Sequence, residues 1–485
     1  MFKNKKFLYI LFFVGIFLYY LINIRSNNVF DDYFWHVKFG EWIVENKQVP
    51  TTDFVNWTYE GQNHPLIYIE WLVGVIFYLT KDIIQPYWLL AIMIGLIFAT
   101  LATLIWDDIK DKNIPGTLFL GIITFTSLLS VTLVRPHMFS YIFTIITVKA
   151  LENIKDDKKS KLYLILPIIS MFWANMHGGT VIFSLLFPLG FLICGLFNFD
   201  FSKVEKRRES KEHLIKYGAL VISNFLASLI NPYFIKVYLC MLTNTESTKR
   251  GVLEWQRLSI DSSAVGFISI ILIFLFFIFT TKKIDFTDFS MVFSFIILTF
   301  MYQRFYSWTA LVFVVAFAKY FNNYKGKGFL KFNDTDIKLI FNIWIIVFFI
   351  AMAAFCAYGF HKYIFPNPNK DIISKELVDM IKEENPERLF NPYSYGQILI
   401  YNDIKTFMNP MADQEDEEDL EVSKNLEGFI DFYESEEKYD FDYYLIGNES
   451  CLADYFEHNE DKYELLYKEE SPRYLAQVSF YKRLK

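Results

Sequence analysis

Residues 31–71 read DDYFWHVKFGEWIVENKQVPTTDFVNWTYEGQNHPLIYIEW, and the fold turns on whether the apolar run overlapping their end, 67–80, crosses a membrane. The stretch interleaves Asp31, Asp32, His36, Asp53, His64 and Glu70 with Trp35, Trp42, Trp57 and Trp71. Such a mixture of charge and aromatic anchors suits a membrane–water interface. The run at 67–80 falls short of the roughly 20 apolar residues a bilayer-spanning helix needs, and it carries Glu70 and Trp71. It is therefore expected to lie on the outer surface as an amphipathic helix.

The rest of the chain fits that assignment. The 485 residues are 53% hydrophobic and 19% aromatic, with a mean hydropathy of +0.25, which is too apolar for a soluble enzyme. Lys3, Lys5 and Lys6 precede an apolar run at 7–24 with no small-residue cleavage site after it; a retained helix with a cytoplasmic N-terminus is expected. Further apolar runs lie near 87–105, 116–134, 137–151, 161–175, 179–197, 214–230, 263–281, 286–302, 305–320 and 337–357, separated by the basic segments 155–161, 203–213, 281–283 and 319–332. With the basic segments inside, the count closes only if 67–80 does not cross. The expected fold is a polytopic α-helical membrane protein of 11–13 helices over 1–362, with an outer loop at 25–66 and a surface helix at 67–80. Residues 363–485 are polar and acidic. A helix-like segment at 371–384 and strand-like runs at 396–401, 441–446 and 474–480 predict an extracytoplasmic α/β domain.

This topology puts the polar residues at helix ends on one side. Arg135 and His137, His177, Glu254 and Arg304 join Asp32, His36 and Glu70 at the outer face, where ionisable groups near membrane depth mark a functional site by default. Taken singly, each could instead snorkel to headgroups. A carboxylate in such a groove can accept a proton from an attacking hydroxyl, and arginine or histidine can stabilise charge on a departing phosphate. The tail offers two weaker features. The acidic run 413–419 reads first as a solvated loop, and Asp440-Phe441-Asp442, a metal-binding pattern in nucleotide-sugar enzymes, opens a strand on the wrong side for such donors. The chain carries no phosphate loop, dinucleotide fingerprint or HExxH zinc motif, and no basic stripe for nucleic acid. Its four cysteines, 194, 240, 356 and 451, lack paired spacing.

An acidic pair after the first helix, an aromatic-rich segment, and His64-Pro65-Leu66 leading into a surface helix resemble the GT-C superfamily of membrane glycosyltransferases, which includes protein mannosyltransferases and aminoarabinose transferases. More narrowly, DDYFWHVKFGEWI, VPTTDF, EWL, RPHMFS, FWANMHGG, NPY, LEW and FNPYSYGQILI, in that order, are similar to a group of bacterial membrane proteins of that superfamily. The resemblance implies transfer of a sugar from a polyprenyl-phosphate-linked donor to an envelope acceptor at the cell membrane, with lipids as surroundings. It implies Asp32 as base or contributor to a divalent-cation site, with Asp31 beside it, and Asp53 and Glu70 on further acidic positions. Arg135, His137, His177 and Arg304 are assigned to the donor phosphate from chemistry and side, with His36 and Glu254 as further substrate-binding candidates. One departure stands out: after GQILI the chain reads FMNPMADQED, with Asn409-Pro410-Met411 where the family pattern has an acid and an arginine. The alternative is a non-catalytic envelope scaffold whose tail binds polymer or a partner. A transporter or polymer ligase ranks last, because no internal repeat or paired broken helices are visible.

Overall fold

The computed structural model describes residues 32–109, 119–124, 133–240, 253–260, 263–279, 283–323, 373–411, 417–471 and 477–484. The expected helices at 7–24 and 337–357, together with Asp31, Cys356 and acidic residues 413–416, lie outside these segments. Among the described residues the chain is mostly helical, with one small mixed sheet near its C-terminal end.

The opening stretch is not a loop. It forms a helix over Tyr33–Asn46, stopped by Lys47 in the left-handed region (φ 56°), whose N–H bonds to the carbonyl of Ile43. Its inner face, Trp35, Val37, Phe39 and Ile43, is buried. Gly40 explains how closely it sits on the next helix, because a Cβ there would lie 2.0 Å from the carbonyl oxygen of Gly74; only glycine lets two helix backbones touch. That next helix spans Trp71–Thr80, four residues shorter than expected at its start. Residues 67–70 run into it without helical turns. It is not simply laid on a surface, since Val73 and Phe77 are fully buried beneath the first helix.

Beyond them, helices run over Pro86–Ile109, His137–Lys155, Leu166–Met176, Phe183–Phe197, Val204–Ser228, Ala264–Phe279, Phe286–Met301 and Tyr306–Phe317. The Tyr306–Phe317 helix is apolar and buried on every side, the mark of a central helix. Among the described residues, two helices, Trp88–Asp108 and Gly178–Phe197, are long and apolar enough to cross a membrane by length and composition, and shorter apolar ones lie at 71–80, 162–176, 264–278 and 286–301. The basic residues 204–213, expected as a connecting loop, form the first turns of the Val204–Ser228 helix.

Among its described residues the C-terminal unit holds four strands, β1 (Leu389–Phe390), β2 (Tyr443–Gly447), β3 (Tyr463–Lys468) and β4 (Val478–Arg483), ordered β1-β2-β4-β3, with β1–β2 parallel and the other two pairs antiparallel. Alternation along β2 sends Tyr444 and Ile446 into one core and Tyr443 and Leu445 into the other, so both faces are covered. Helices at Lys375–Glu384, Tyr393–Tyr401, Glu417–Asn425, Phe432–Tyr439 and Cys451–Glu457 supply the cover. Ser374 and Ser450 cap two of them, accepting from the N–H groups of Leu377 and Ala453.

Two expectations for this unit are corrected, and the contacts of the Asp440-Phe441-Asp442 pattern are accounted for. The run at 396–401 is helical, because Gly396 must pass close to the carbonyl of Met408 (a Cβ would lie 2.4 Å from it) and Ile398, Leu399 and Ile400 are all buried. A short apolar run of this kind fits either structure by pattern alone. In the acidic run, Asp419 is buried rather than solvated and accepts hydrogen bonds from Tyr439 and Tyr59. Asp440 and Asp442 are structural: the first pairs with Arg388 and Arg483, and the second accepts from the backbone N–H groups of Glu387 and Arg388.

The unit is stitched to the first outer stretch. Thr406 pairs with Asn56 as a parallel bridge, and Trp57 donates its indole N–H to the carbonyl of Leu389 at 3.0 Å. Phe34 packs edge-on against Tyr401 at 4.9 Å, and Lys38 reaches Asp403.

Candidate functional site

The Tyr33–Asn46 helix, the turn before Trp71, the start of the His137–Lys155 helix, the turn at 177–180, the turn at 253–255 and the turn at 303–305 converge. They bring together eight of the residues singled out in the sequence. Asp32 meets Arg135 at 2.7 Å (Oδ2 to Nε). Arg135 also donates to Glu254 at 3.0 Å, and the other carboxylate oxygen of Glu254 lies 3.3 Å from Arg304. Arg304 stacks its guanidinium over Trp255, 4.2 Å from the ring centre, a favourable placement for a cation. The result is a chain of alternating charge: acid, arginine, acid, arginine.

Glu70 adjoins that chain through the histidines. One of its oxygens lies 3.6 Å from Nε2 of His177 and the other 4.0 Å from Nε2 of His36. Both rings are backed by buried hydroxyls: Nδ1 of His36 hydrogen-bonds with Tyr68 at 2.7 Å, and Nδ1 of His177 with Ser140 at 2.7 Å and Thr180 at 2.9 Å. Trp173 can only donate, so Thr180 accepts from its indole and turns its own hydrogen toward Ser140 or His177. His137 completes the group, its ring centre 6.4 Å from that of His177.

Backbone contacts set these positions. Gly178 donates to the carbonyl of Ile69, and a Cβ at Gly178 would meet Val237 at 2.6 Å and Ile69 at 2.9 Å. Trp71 donates to Asn175 at 2.8 Å, and Asn175 in turn donates to the carbonyls of Met171 and Ile230. Glu70 is thereby fixed to the turn that carries His177, while the Gly40–Gly74 contact fixes it to the helix that carries His36.

The charged members remain reachable: side-chain exposures are 22% for Asp32, 20% for Arg135, 21% for Glu70, 17% for Arg304 and 37% for Glu254. Burial drives the His36 and His177 imidazoles well below their ordinary pKa, helped at His36 by Arg135 and at His177 by His137 and Arg304. Both rings are therefore neutral at physiological pH. Burial pushes Glu254 upward, but Arg304 and Arg135 outweigh it and hold the carboxyl below its usual value.

Two candidates fall elsewhere. Asp31 lies outside the described residues. Asp53 closes its own turn, accepting from the N–H groups of Val55 at 2.9 Å and Asn56 at 2.8 Å, with Asn409 at 3.5 Å; burial raises its pKa. Its contacts are those of the joint with the C-terminal unit. Of the four tryptophans expected as interfacial anchors, Trp35 is buried and stacked on His36 at 3.8 Å, whereas Trp42, Trp57 and Trp71 are half-buried. Sequence reasoning passed over Tyr68, Ser140 and Thr180. The latter two each stand three residues after a site histidine, Ser140 along the His137–Lys155 helix and Thr180 at the end of the short turn after His177, and that spacing was the available signal.

Among the described residues no group of three or more His, Cys, Asp or Glu side chains is arranged to hold a metal ion. No protein-family model matches the chain, and no curated protein matches it.

Proposed function

We propose that this protein is a membrane-embedded glycosyltransferase of the GT-C type, moving a sugar from a polyprenyl-phosphate-linked donor to an extracytoplasmic envelope acceptor. The observation that carries the reading is the pair Arg135 and Arg304, brought from distant segments to bracket one carboxylate beside Asp32 and Glu70. Guanidinium forks take phosphate as readily as carboxylate, and an adjacent carboxylate can serve as base. The acceptor oxygen attacks the anomeric carbon, the bond from that carbon to the phosphate oxygen breaks with its electron pair leaving on phosphate, and the hydroxyl proton passes to Asp32. The arginines balance the charge that gathers on the leaving phosphate. Glu70 orients the acceptor, with His36, His137 and His177 lining the same groove.

Membrane embedding is supported by exposed apolar stripes such as Trp88, Ile92 and Leu96, or Phe289, Phe293 and Ile297, each with the helical spacing of a face turned toward lipid. Charge supports the orientation. Lys149, Lys155 and Lys158 gather at the far end of the helix that begins at His137, so the basic end belongs inside and the site outside. The C-terminal unit, bonded to residues 55–57, then lies outside in a multi-pass cell-membrane protein of 11–13 helices, with membrane lipids around it.

The test is sugar transfer by purified protein from a polyprenyl-phosphate sugar. Asp32→Asn is expected to lower the rate by about 10²–10⁴-fold, the usual worth of a positioned base, at unchanged protein level. Full activity in that variant overturns the reading. The runner-up, a non-catalytic envelope scaffold, draws on the exposed Ile430 and Tyr433 of the C-terminal unit; it predicts that truncating that unit removes function while Asp32→Asn does not.

A further inference from the structure

We propose that Glu254 is the resident stand-in for the ligand's phosphate: its carboxylate occupies the anion site between Arg135 and Arg304 and must leave before a phosphate can enter. The inference rests on the reading that this arginine pair receives phosphate. Its two oxygens face two different guanidinium groups, at 3.0 and 3.3 Å. Two oxygens of a phosphate group engage a pair of forks in the same way. Because Arg304 is stacked on Trp255 and Arg135 is held by Asp32, the arginines are oriented by contacts other than Glu254. They keep their places when it departs.

Glu254 is also the group with the easiest exit. It is the most exposed of the five charged side chains, and it sits in a short turn at Leu253–Trp255. The backbone of that turn stays tied, since Gln303 donates to the carbonyl of Gln256 at 2.9 Å. Only the side chain has to swing. Electrostatics explain why the carboxylate must give way: the two guanidinium groups already face the carboxylates of Asp32 and Glu254, with Glu70 adjoining through His177, so a phosphate arriving beside Glu254 would add negative charge to an anionic group. Exchanging one anion for another keeps the balance in both states. Self-occupancy of this kind reduces the apparent affinity by the fraction of time the site is open.

The experiment measures binding of inorganic phosphate, farnesyl phosphate and, as a control, farnesol to the purified full-length protein in detergent. Glu254→Gln is expected to bind phosphate probes about tenfold more tightly than the natural protein, with farnesol unchanged. A gain in both phosphate arms identifies the phosphate itself as the ligand; a gain confined to farnesyl phosphate identifies a lipid headgroup. Equal or weaker binding by folded Glu254→Gln overturns the stand-in and makes Glu254 a brace for the arginines. If that variant melts early, Glu254→Asp decides: its shorter side chain cannot reach both arginines at once, so a smaller gain is expected and a loss overturns the inference. If neither the natural protein nor a variant binds either phosphate probe, the phosphate reading of the arginine pair fails, and the stand-in fails with it.

Discussion

The two ends of the His137–Lys155 helix hold clusters of similar composition and opposite character. At its start, Arg135 meets Asp32 at 2.7 Å and Glu254 at 3.0 Å, Glu254 reaches Arg304 at 3.3 Å, and Glu70 lies 3.6 Å from His177, with between 17% and 37% of each charged side chain exposed. At its end, Lys155 pairs with Glu152 at 3.1 Å and with Asp285 at 3.4 Å, and it meets Asp288 directly. Lys319 adds contacts to Glu152, Asp288 and Asp156, and Tyr320 donates to Asp288 at 2.7 Å. Asp288 is wholly buried. Beside them, Lys149 within the helix and Lys158 beyond its end share Asp108. A buried charge stays ionised only if neighbours answer it directly, and the far end does that for both oxygens of Asp288. The near end leaves its charges in reach of solvent and sets neutral imidazoles opposite Glu70. The first arrangement locks helices together; the second can exchange partners with a ligand.

The largest effect should come from breaking the lock. Asp288→Asn leaves Lys155 and Lys319 short of a buried counter-charge and is expected to cost about 3–5 kcal/mol of stability. Arg304→Gln, at the partly exposed end, should cost only about 1 kcal/mol. Thermal unfolding of the two variants in one detergent measures the contrast. If Asp288→Asn is no more harmful than Arg304→Gln, the two ends do not differ in kind.

Next in size is the binding effect of Arg304→Gln itself. Removing one of two forks should weaken farnesyl phosphate binding by tenfold or more, about 1.4 kcal/mol, while Lys155→Gln should leave the affinity within about twofold for the protein that remains folded. Titration of each variant at constant salt checks this, and equal losses from the two ends would erase the distinction.

How much of this could be read in the sequence follows from where each residue stands. Arg135, His177, Glu254 and Arg304 sit where apolar runs break off, so a topology count alone gathers them on one side. The counterpart network was not foreseen, because Glu152 and Asp288 lie within helices and read there as isolated charges. The Tyr33–Asn46 helix was obscured by its mixture of acids, lysine and aromatics, and its burial depends on the Gly40–Gly74 contact, which joins residues on separate helices. Asp53 looked like a site acid by motif position, yet its oxygens are taken up by its own turn. GQILI fits a strand or a helix equally well as a short apolar run, and the close approach of Gly396 to Met408 decides it.

The smallest effect separates the ends by pH. His36 and His177 are neutral in the folded protein because burial lowers their pKa, whereas in the unfolded chain each titrates near 6.5. Below that pH the unfolded chain binds more protons than the folded one, so stability must fall as pH drops through the ordinary histidine range and recover above it. One unit below that value the loss is on the order of 1 kcal/mol per ring. The lock of Lys155, Lys319, Glu152, Asp156, Asp285 and Asp288 includes no imidazole. Replacing His177 by Gln should flatten the dependence of stability on pH between 7.5 and 5.5, while Asp288→Asn should shift the whole curve down and keep its slope. A His177→Gln curve as steep as that of the natural protein would place the titrating groups elsewhere and remove the electrostatic distinction between the two ends.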